Sequence, residues 1–216
     1  MKTLIYSDVH GNLPAFEKML IEEGPCDKYI CLGDLVNYGP WSNECVELAL
    51  SLPNTEIIMG NHEESFVDGY YNGRNSLVKI FFSHTYSKFH KIEEIKNFIP
   101  YTNLGKFICT HTLDNKYIFP DTKVKLEANH IIGHSHIQFK YKNNSFVLYN
   151  CGSVGQNRKY INEINYLVYS SKTEIIKMKS LVYDINPLIK KMKKEYYPKE
   201  CIDYYLNKEK KQLTSL

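Results

Sequence analysis

The chain has 216 residues, of which 43% are hydrophobic, and a formal charge of +3. That length supports one large domain or two small ones, with the apolar content of an ordinary globular protein. The charge is too small to indicate nucleic acid, and no apolar run approaches the roughly 20 residues of a membrane span. Leu4-Ile5-Tyr6 reads as a short buried strand. A helix follows from Asn12 to Gly24, with Asn12 at the N-cap, Pro14 in the first turn and Gly24 at the end. Its apolar face is expected to carry Leu13, Phe16, Leu20 and Ile21. Tyr29 to Leu32 is a second strand, Ser42 to Leu50 a second helix and Glu56 to Met59 a third strand, the alternation of an α/β domain.

Residues 63–100 are more helical, with periodic stretches over Ser76–His90 and Ile92–Phe98. They read as an insertion that covers whatever site the strands build. Strands resume at Phe107–Cys109, Ile131–Ile132, Ile137–Lys142, Ser145–Tyr149, Tyr166–Ser170 and Glu174–Lys179, with Asn143-Asn144 as a hairpin turn. Ile185–Lys194 and Pro198–Asn207 close the chain as amphipathic helices. No repeat or linker divides it, so residues 1–216 are expected to form one domain. The Lys190–Lys194 run reads as the solvated face of a docked helix. The start of the chain shows no leader pattern, and the six cysteines form no CxxC pair. Both point to free buried thiols in a reducing cytoplasm.

Five short pieces carry the chemistry: Asp8-Val9-His10, Gly33-Asp34, Gly60-Asn61-His62, His111 and Gly133-His134-Ser135-His136. Each stands where an apolar run ends, and α/β sheets bind ligands at the carboxyl ends of strands. Side chains two apart on a strand share a face and span roughly 6.6 Å. Two metals in a hydrolytic centre lie about 3.5–4 Å apart, so a His-x-His pair can serve both. Taken singly, each piece is more often a turn or a packing residue than a ligand. Together and in order, they point to two divalent cations and hydrolysis of a phosphate ester. His84, His90 and His130 lack the glycine-turn setting and read as surface or packing residues. The ligand set contains no thiolate, which excludes a structural zinc site, and its histidines disfavour Ca²⁺ or Mg²⁺ alone. Manganese stands foremost, with iron, zinc, nickel and cobalt also suited. Arg74 and Arg158 are the only arginines, so these ions must supply most of the grip on phosphate.

The longer strings DVHGNLPAFEKML, GDLVNYGP, GNHEE and NCGSVGQNR (starting at Asp8, Gly33, Gly60 and Asn150) resemble the calcineurin-like metallophosphoesterases. They are most similar to the family's small bacterial and archaeal, YfcE-like phosphodiesterase branch. The resemblance implies two mixed β-sheets packed as a sandwich and flanked by helices, a four-layer αββα arrangement. It also implies that Asp8, His10 and His136 hold one metal, that Asn61, His111 and His134 hold the other, and that Asp34 bridges them. A bridging hydroxide would attack phosphorus, with His62 as the catalytic histidine that protonates the leaving oxygen. Asn12, Asn37, Tyr38 and Ser153 are expected to line the pocket by motif position. Two positions depart from the family pattern. Thr112 follows His111 where a glycine is usual, and Tyr38 stands where the protein-phosphatase branch has an arginine.

The expected activity is a phosphodiesterase or phosphomonoesterase acting on a small or nucleotide-like ester. No nucleic-acid or membrane partner is expected, and self-association is left open. The alternative is a non-catalytic protein-binding scaffold of the same fold. The retained His62 and full ligand set separate this chain from that class.

Overall fold

Both faces of the first strands are apolar because both are covered, which is why these strands read as continuous hydrophobic runs. Leu4, Tyr6, Tyr29 and Cys31 face a layer of helices, whereas Ile5, Ile30 and Leu32 face a second sheet. The structure is a computed structural model describing residues 1–143 and 145–213. Among the described residues, ten strands and seven helices run in the order β1 (Lys2–Tyr6), α1 (Leu13–Glu23), β2 (Lys28–Cys31), α2 (Ser42–Ser51), β3 (Thr55–Ile57), α3 (Asn61–Asp68), α4 (Ser76–Tyr86), α5 (Ile92–Ile95), β4 (Thr102–Leu104), β5 (Phe107–Cys109), β6 (Asn129–Ile132), β7 (Gln138–Lys142), β8 (Val147–Cys151), β9 (Glu163–Ser170), β10 (Ile175–Val182), α6 (Asn186–Lys194) and α7 (Lys199–Asn207).

The strands form two mixed five-stranded sheets, ordered β10-β9-β1-β2-β3 and β4-β5-β6-β8-β7. β1, β2 and β3 are parallel, as are β5, β6 and β8; the outer pairings β1–β9, β9–β10, β4–β5 and β7–β8 are antiparallel. Ile5, Ile30, Leu32 and Leu167 from the first sheet meet Phe107, Cys109, Ile131 and Tyr149 from the second, making the interior of the sandwich. Helical side chains such as Phe16, Val46, Phe66, Phe81, Leu188 and Tyr205 cover the other face of the first sheet. The outer face of the second sheet is covered by the loop around Leu113, Ile118, Val124 and Leu126. Among the described residues, no helix is long and apolar enough to cross a membrane.

Several local expectations shift. Asn12 caps α1, accepting from Ala15 N at 3.3 Å. The buried stripe of α1, however, is Ala15, Phe16 and Met19, and Ile21 is 76% exposed. Five residues past Phe16, Ile21 is turned about 140° round the axis, away from the sheet. α4 ends at Tyr86 and α5 spans only Ile92–Ile95, because single turns such as Phe89 N to Tyr86 O (3.0 Å) interrupt the helical stretch. β4 was not expected; it is short, polar and at a sheet edge, where no periodic pattern marks it. β7 and β8 pair antiparallel up to Lys142 opposite Val147, but Asn144 of the expected turn lies outside the described residues. All six cysteines are buried free thiols.

Candidate metal centre

The carboxyl ends of β1, β2, β3, β5 and β6 converge, and backbone hydrogen bonds continue the sheet into the loops beyond them. Asp8 N donates to Gly33 O (3.0 Å), His10 N to Asp34 O (3.0 Å) and Gly133 N to His111 O (3.0 Å). Gly33, at φ 96°, cannot be replaced without strain, since a Cβ there would lie 2.7 Å from Gly60 N. The β2 and β3 loops therefore touch backbone to backbone.

Asp8 and His10 do not share a strand face, as their spacing suggested. β1 ends at Tyr6, and both residues adopt left-handed backbone conformations, φ 56° and 51°. His134 (66°), His136 (57°) and Asp34 (58°) do the same. Such a conformation costs a non-glycine residue about 1–3 kcal/mol and persists where surrounding structure enforces it, often at functional sites. The i, i+2 pairs are thus brought together by tight left-handed turns rather than by pleating.

Two clusters result, with donor atoms in each lying within 4.8 Å of one another: Asp8, His10, Asp34 and His136, and Asp34, His111 and His134. Asp34 belongs to both. Its Oδ2 is 3.8 Å from His10 Nε2 and 3.3 Å from His111 Nε2. Asn61 Oδ1 joins the second cluster, 3.0 Å from His111 Nε2. All seven residues expected as ligands are therefore gathered, including His111 despite Thr112 beside it.

The proton positions in this network follow from its carbonyls. His10 Nδ1 faces Val36 O (3.0 Å), His136 Nδ1 faces Gln156 O (2.8 Å) and His111 Nδ1 faces Leu32 O (2.7 Å). A carbonyl only accepts, so each Nδ1 carries a proton and each Nε2 is turned inward, where it can offer its lone pair to a cation. This carbonyl-oriented imidazole is how metal-ligating histidines are held. His10 Nε2 and His136 Nε2 then confront each other at 3.3 Å, with Asp8 Oδ1 at 3.1 Å from the latter. Asp8 Oδ1 is buried with no hydrogen-bond donor. His111 Nε2 likewise faces His134 Nδ1 at 3.0 Å. Such a convergence of imidazole nitrogens and carboxylate oxygens is suited to cations. Metal–ligand bonds of about 2.0–2.2 Å place neighbouring donors about 3 Å apart. The residues therefore fit divalent metals.

Electrostatics agree with this. Burial holds His10 down to about 3 and His134 down to about 4, keeping both rings neutral. Burial opposes ionisation of Asp8, but His136 outweighs it and lowers the carboxyl to about 2. Burial likewise opposes a charge on His111, yet without a metal the Asp34 carboxylate prevails and raises the ring to about 10, so its Nε2 carries a proton that a bound cation would displace. The cluster thus draws positive charge toward Asp34.

His62 opens α3 and offers no ring nitrogen to either cluster. Its backbone N–H donates to Asp34 Oδ1 (2.9 Å), and its Nδ1 meets Asn37 Nδ2 at 2.9 Å. Asn37 Oδ1 accepts from Tyr38 N (2.7 Å) and Thr85 Oγ1 (3.1 Å), which fixes the orientation of the amide. Asn37 Nδ2 must then donate to His62 Nδ1, leaving the His62 proton on Nε2. Tyr38 packs against His62 and His10, with ring centroids 5.5 and 4.8 Å away. Asn37 and Tyr38 thus border the centre, although Asn37 is itself fully buried. Asn12 and Ser153 are fully buried, and their side chains bond within the loops beside the centre. Asn12 donates to Gly155 O and Tyr183 Oη, and Ser153 Oγ donates to Asp8 O (2.7 Å) and accepts from Gln156 N. Both tie loops together.

One organising residue was missed. The Glu63 carboxylate is fully buried and accepts from four backbone N–H groups: Asp34 and Leu35 (both 2.7 Å), Gly60 (3.1 Å) and Val36 (3.2 Å). It folds the Asp34 loop onto the start of α3. The available signal was its place three residues after Gly60, where a glutamate reaches back to a helix start.

Comparison with known proteins gives the family and the fold. Residues 1–169 match the calcineurin-like phosphoesterase family. The chain is 29% identical over 229 residues to uncharacterized protein MJ0912 of Methanocaldococcus jannaschii, covering 90% of this chain and 93% of that one. It is similar in structure to a metallophosphoesterase from Sphaerobacter thermophilus (TM-score 0.79, 21% identity, 95% of this chain and 98% of that one). It is equally similar to hypothetical protein PH1004 from Pyrococcus horikoshii (TM-score 0.79, 17% identity, 94% and 97%). The chain belongs to the calcineurin-like phosphoesterases, hydrolases that act on phosphoric ester bonds.

Proposed function

We propose that this protein hydrolyses a small or nucleotide-like phosphate ester at a centre of two divalent transition metals, manganese foremost. The observation that carries this reading is the convergence of ligand atoms from Asp8, His10, His136, Asn61, His111 and His134 around the shared Asp34. Asp8, His10 and His136 would hold one ion and Asn61, His111 and His134 the other, with Asp34 between them. Such ions lower the pKa of water to near neutrality and offset charge on phosphoryl oxygens.

The protein's own contribution is placement. His62, held by Asn37 with its proton on Nε2, would aim that N–H at the leaving oxygen and stabilise its charge as the ester bond breaks. Burial lowers the His62 pKa, which keeps the ring neutral and in this tautomer. Residues 63–100 form the wall over the centre: Thr85 of α4 anchors Asn37, and Phe81 packs on Tyr38 at 4.7 Å.

The test is an activity panel on protein reconstituted separately with Mn²⁺, Fe²⁺, Zn²⁺, Ni²⁺ or Co²⁺. The substrates are bis-p-nitrophenyl phosphate, p-nitrophenyl phosphate and cyclic and dinucleotide esters. Turnover with at least one metal, abolished by chelation and restored by the metal, is expected. Inactivity with every metal would instead favour a protein-binding scaffold.

A further inference from the structure

Three clefts open beside the metal centre, and they differ in charge. Two lie on the Asn61 and His134 side, of about 630 and 670 Å³, and Glu64 lines both. The third, of about 320 Å³, lies on the His136 side and has no carboxylate in its lining. Its lining holds two cations, Lys208 and Arg158, the latter shared with the 670 Å³ cleft, together with Tyr38 and Tyr204. Each cation rests on an aromatic face. The Arg158 guanidinium carbon is 5.2 Å from the Tyr117 ring centre and 5.6 Å from that of Phe119; Lys208 Nζ is 5.2 Å from the Tyr204 ring centre. Tyr117 in turn stacks on His134 at 4.1 Å, so the shelf under Arg158 is built on a residue of the metal centre itself. Among the described residues, neither cation forms an ion pair with a carboxylate.

Cations held over aromatic rings, next to a polar cavity and in no ion pair, are arranged for an anion from outside. An arginine preset in this way loses little side-chain freedom on binding and can grip phosphate with two parallel N–H bonds. The reacting phosphate does not account for them, since seven other residues are gathered for its metals. We infer that Arg158 and Lys208 form a second anion subsite, and that the substrate carries a second phosphoryl group next to the one that reacts. This inference rests on the phosphoesterase reading and narrows its substrate class to bisphosphorylated esters.

Thymidine 5′-monophosphate and thymidine 3′,5′-bisphosphate form a matched pair of probes, and calorimetry on the manganese-loaded protein measures their affinities. The bisphosphate should bind more tightly by on the order of tenfold, the worth of one or two charge-assisted hydrogen bonds. Arg158→Met and Lys208→Met should each shrink that ratio, and the double variant should bring it near one. Lys177→Met, on the exposed edge strand β10, should leave it intact. Equal affinity in the parent protein, or a ratio that survives the double variant, overturns the subsite. The p-nitrophenyl 5′-ester of the same bisphosphate separates the two readings. Preferential binding without turnover would fail the phosphoesterase reading and leave the subsite standing.

Discussion

Asp34→Asn should empty both metal positions at once. Among the described residues, Asp34 is the one shared by both clusters, its Oδ2 lying 3.8 Å from His10 Nε2 and 3.3 Å from His111 Nε2. An amide oxygen could still accept from His62 N, as Asp34 Oδ1 does at 2.9 Å. The fold should therefore survive, but the amide brings an N–H₂ group where a shared negative charge stood. Losing a mere supporting partner costs about 10–100-fold in metal affinity, and a shared ligand should cost at least that at each position. Metal content, measured after equilibration at micromolar metal, should fall from two ions per chain toward none. Turnover should fall by about 10³-fold or more, with the melting temperature of the chelated protein little changed. If one ion stays and the other leaves, the bridging role belongs elsewhere.

His62→Ala should show the opposite pattern: full metal content and turnover reduced by about 10²–10³-fold, the usual worth of a positioned hydrogen-bond donor. The structural reason is that both His62 nitrogens are accounted for without a metal. Nδ1 accepts from Asn37, and Nε2 keeps the proton. Truncation leaves a small cavity beside Tyr38 and Tyr71 without removing a donor from either cluster. Asn37→Leu should lower kcat more than it raises KM, because it frees the ring to adopt the wrong tautomer without touching substrate. Loss of metal in His62→Ala would make His62 a ligand and overturn its role at the leaving oxygen.

Much of the centre was legible in the sequence because its ligands end strands, and strand ends follow from apolar runs such as Leu4–Tyr6 and Tyr29–Leu32. Glycine–ligand steps at Gly33-Asp34, Gly60-Asn61 and Gly133-His134 marked where the chain must turn sharply. What failed was the local geometry. Asp8-x-His10 and His134-x-His136 were read by the period of a strand, yet they lie in left-handed turns that this period does not describe. Ile21 misled in a similar way, because a helix face is set by what it packs on and not by hydrophobicity alone. Glu63 and Asn37 act through backbone groups and a neighbouring ring, and sequence spacing carries almost no information about such contacts. Asn12 and Ser153 share loops with the ligands, but their side chains turn inward to hold those loops. Position in a motif located the loop correctly without giving the direction of the side chain.

Anomalous diffraction from crystals of the manganese-loaded protein tests the two-metal centre most directly. Two peaks about 3.5–4 Å apart are predicted. The Asp34 carboxylate should lie between them, with Asp8, His10 and His136 around one, Asn61, His111 and His134 around the other, and His62 bound to neither. A single peak, or two peaks with Asp34 on only one of them, would contradict it.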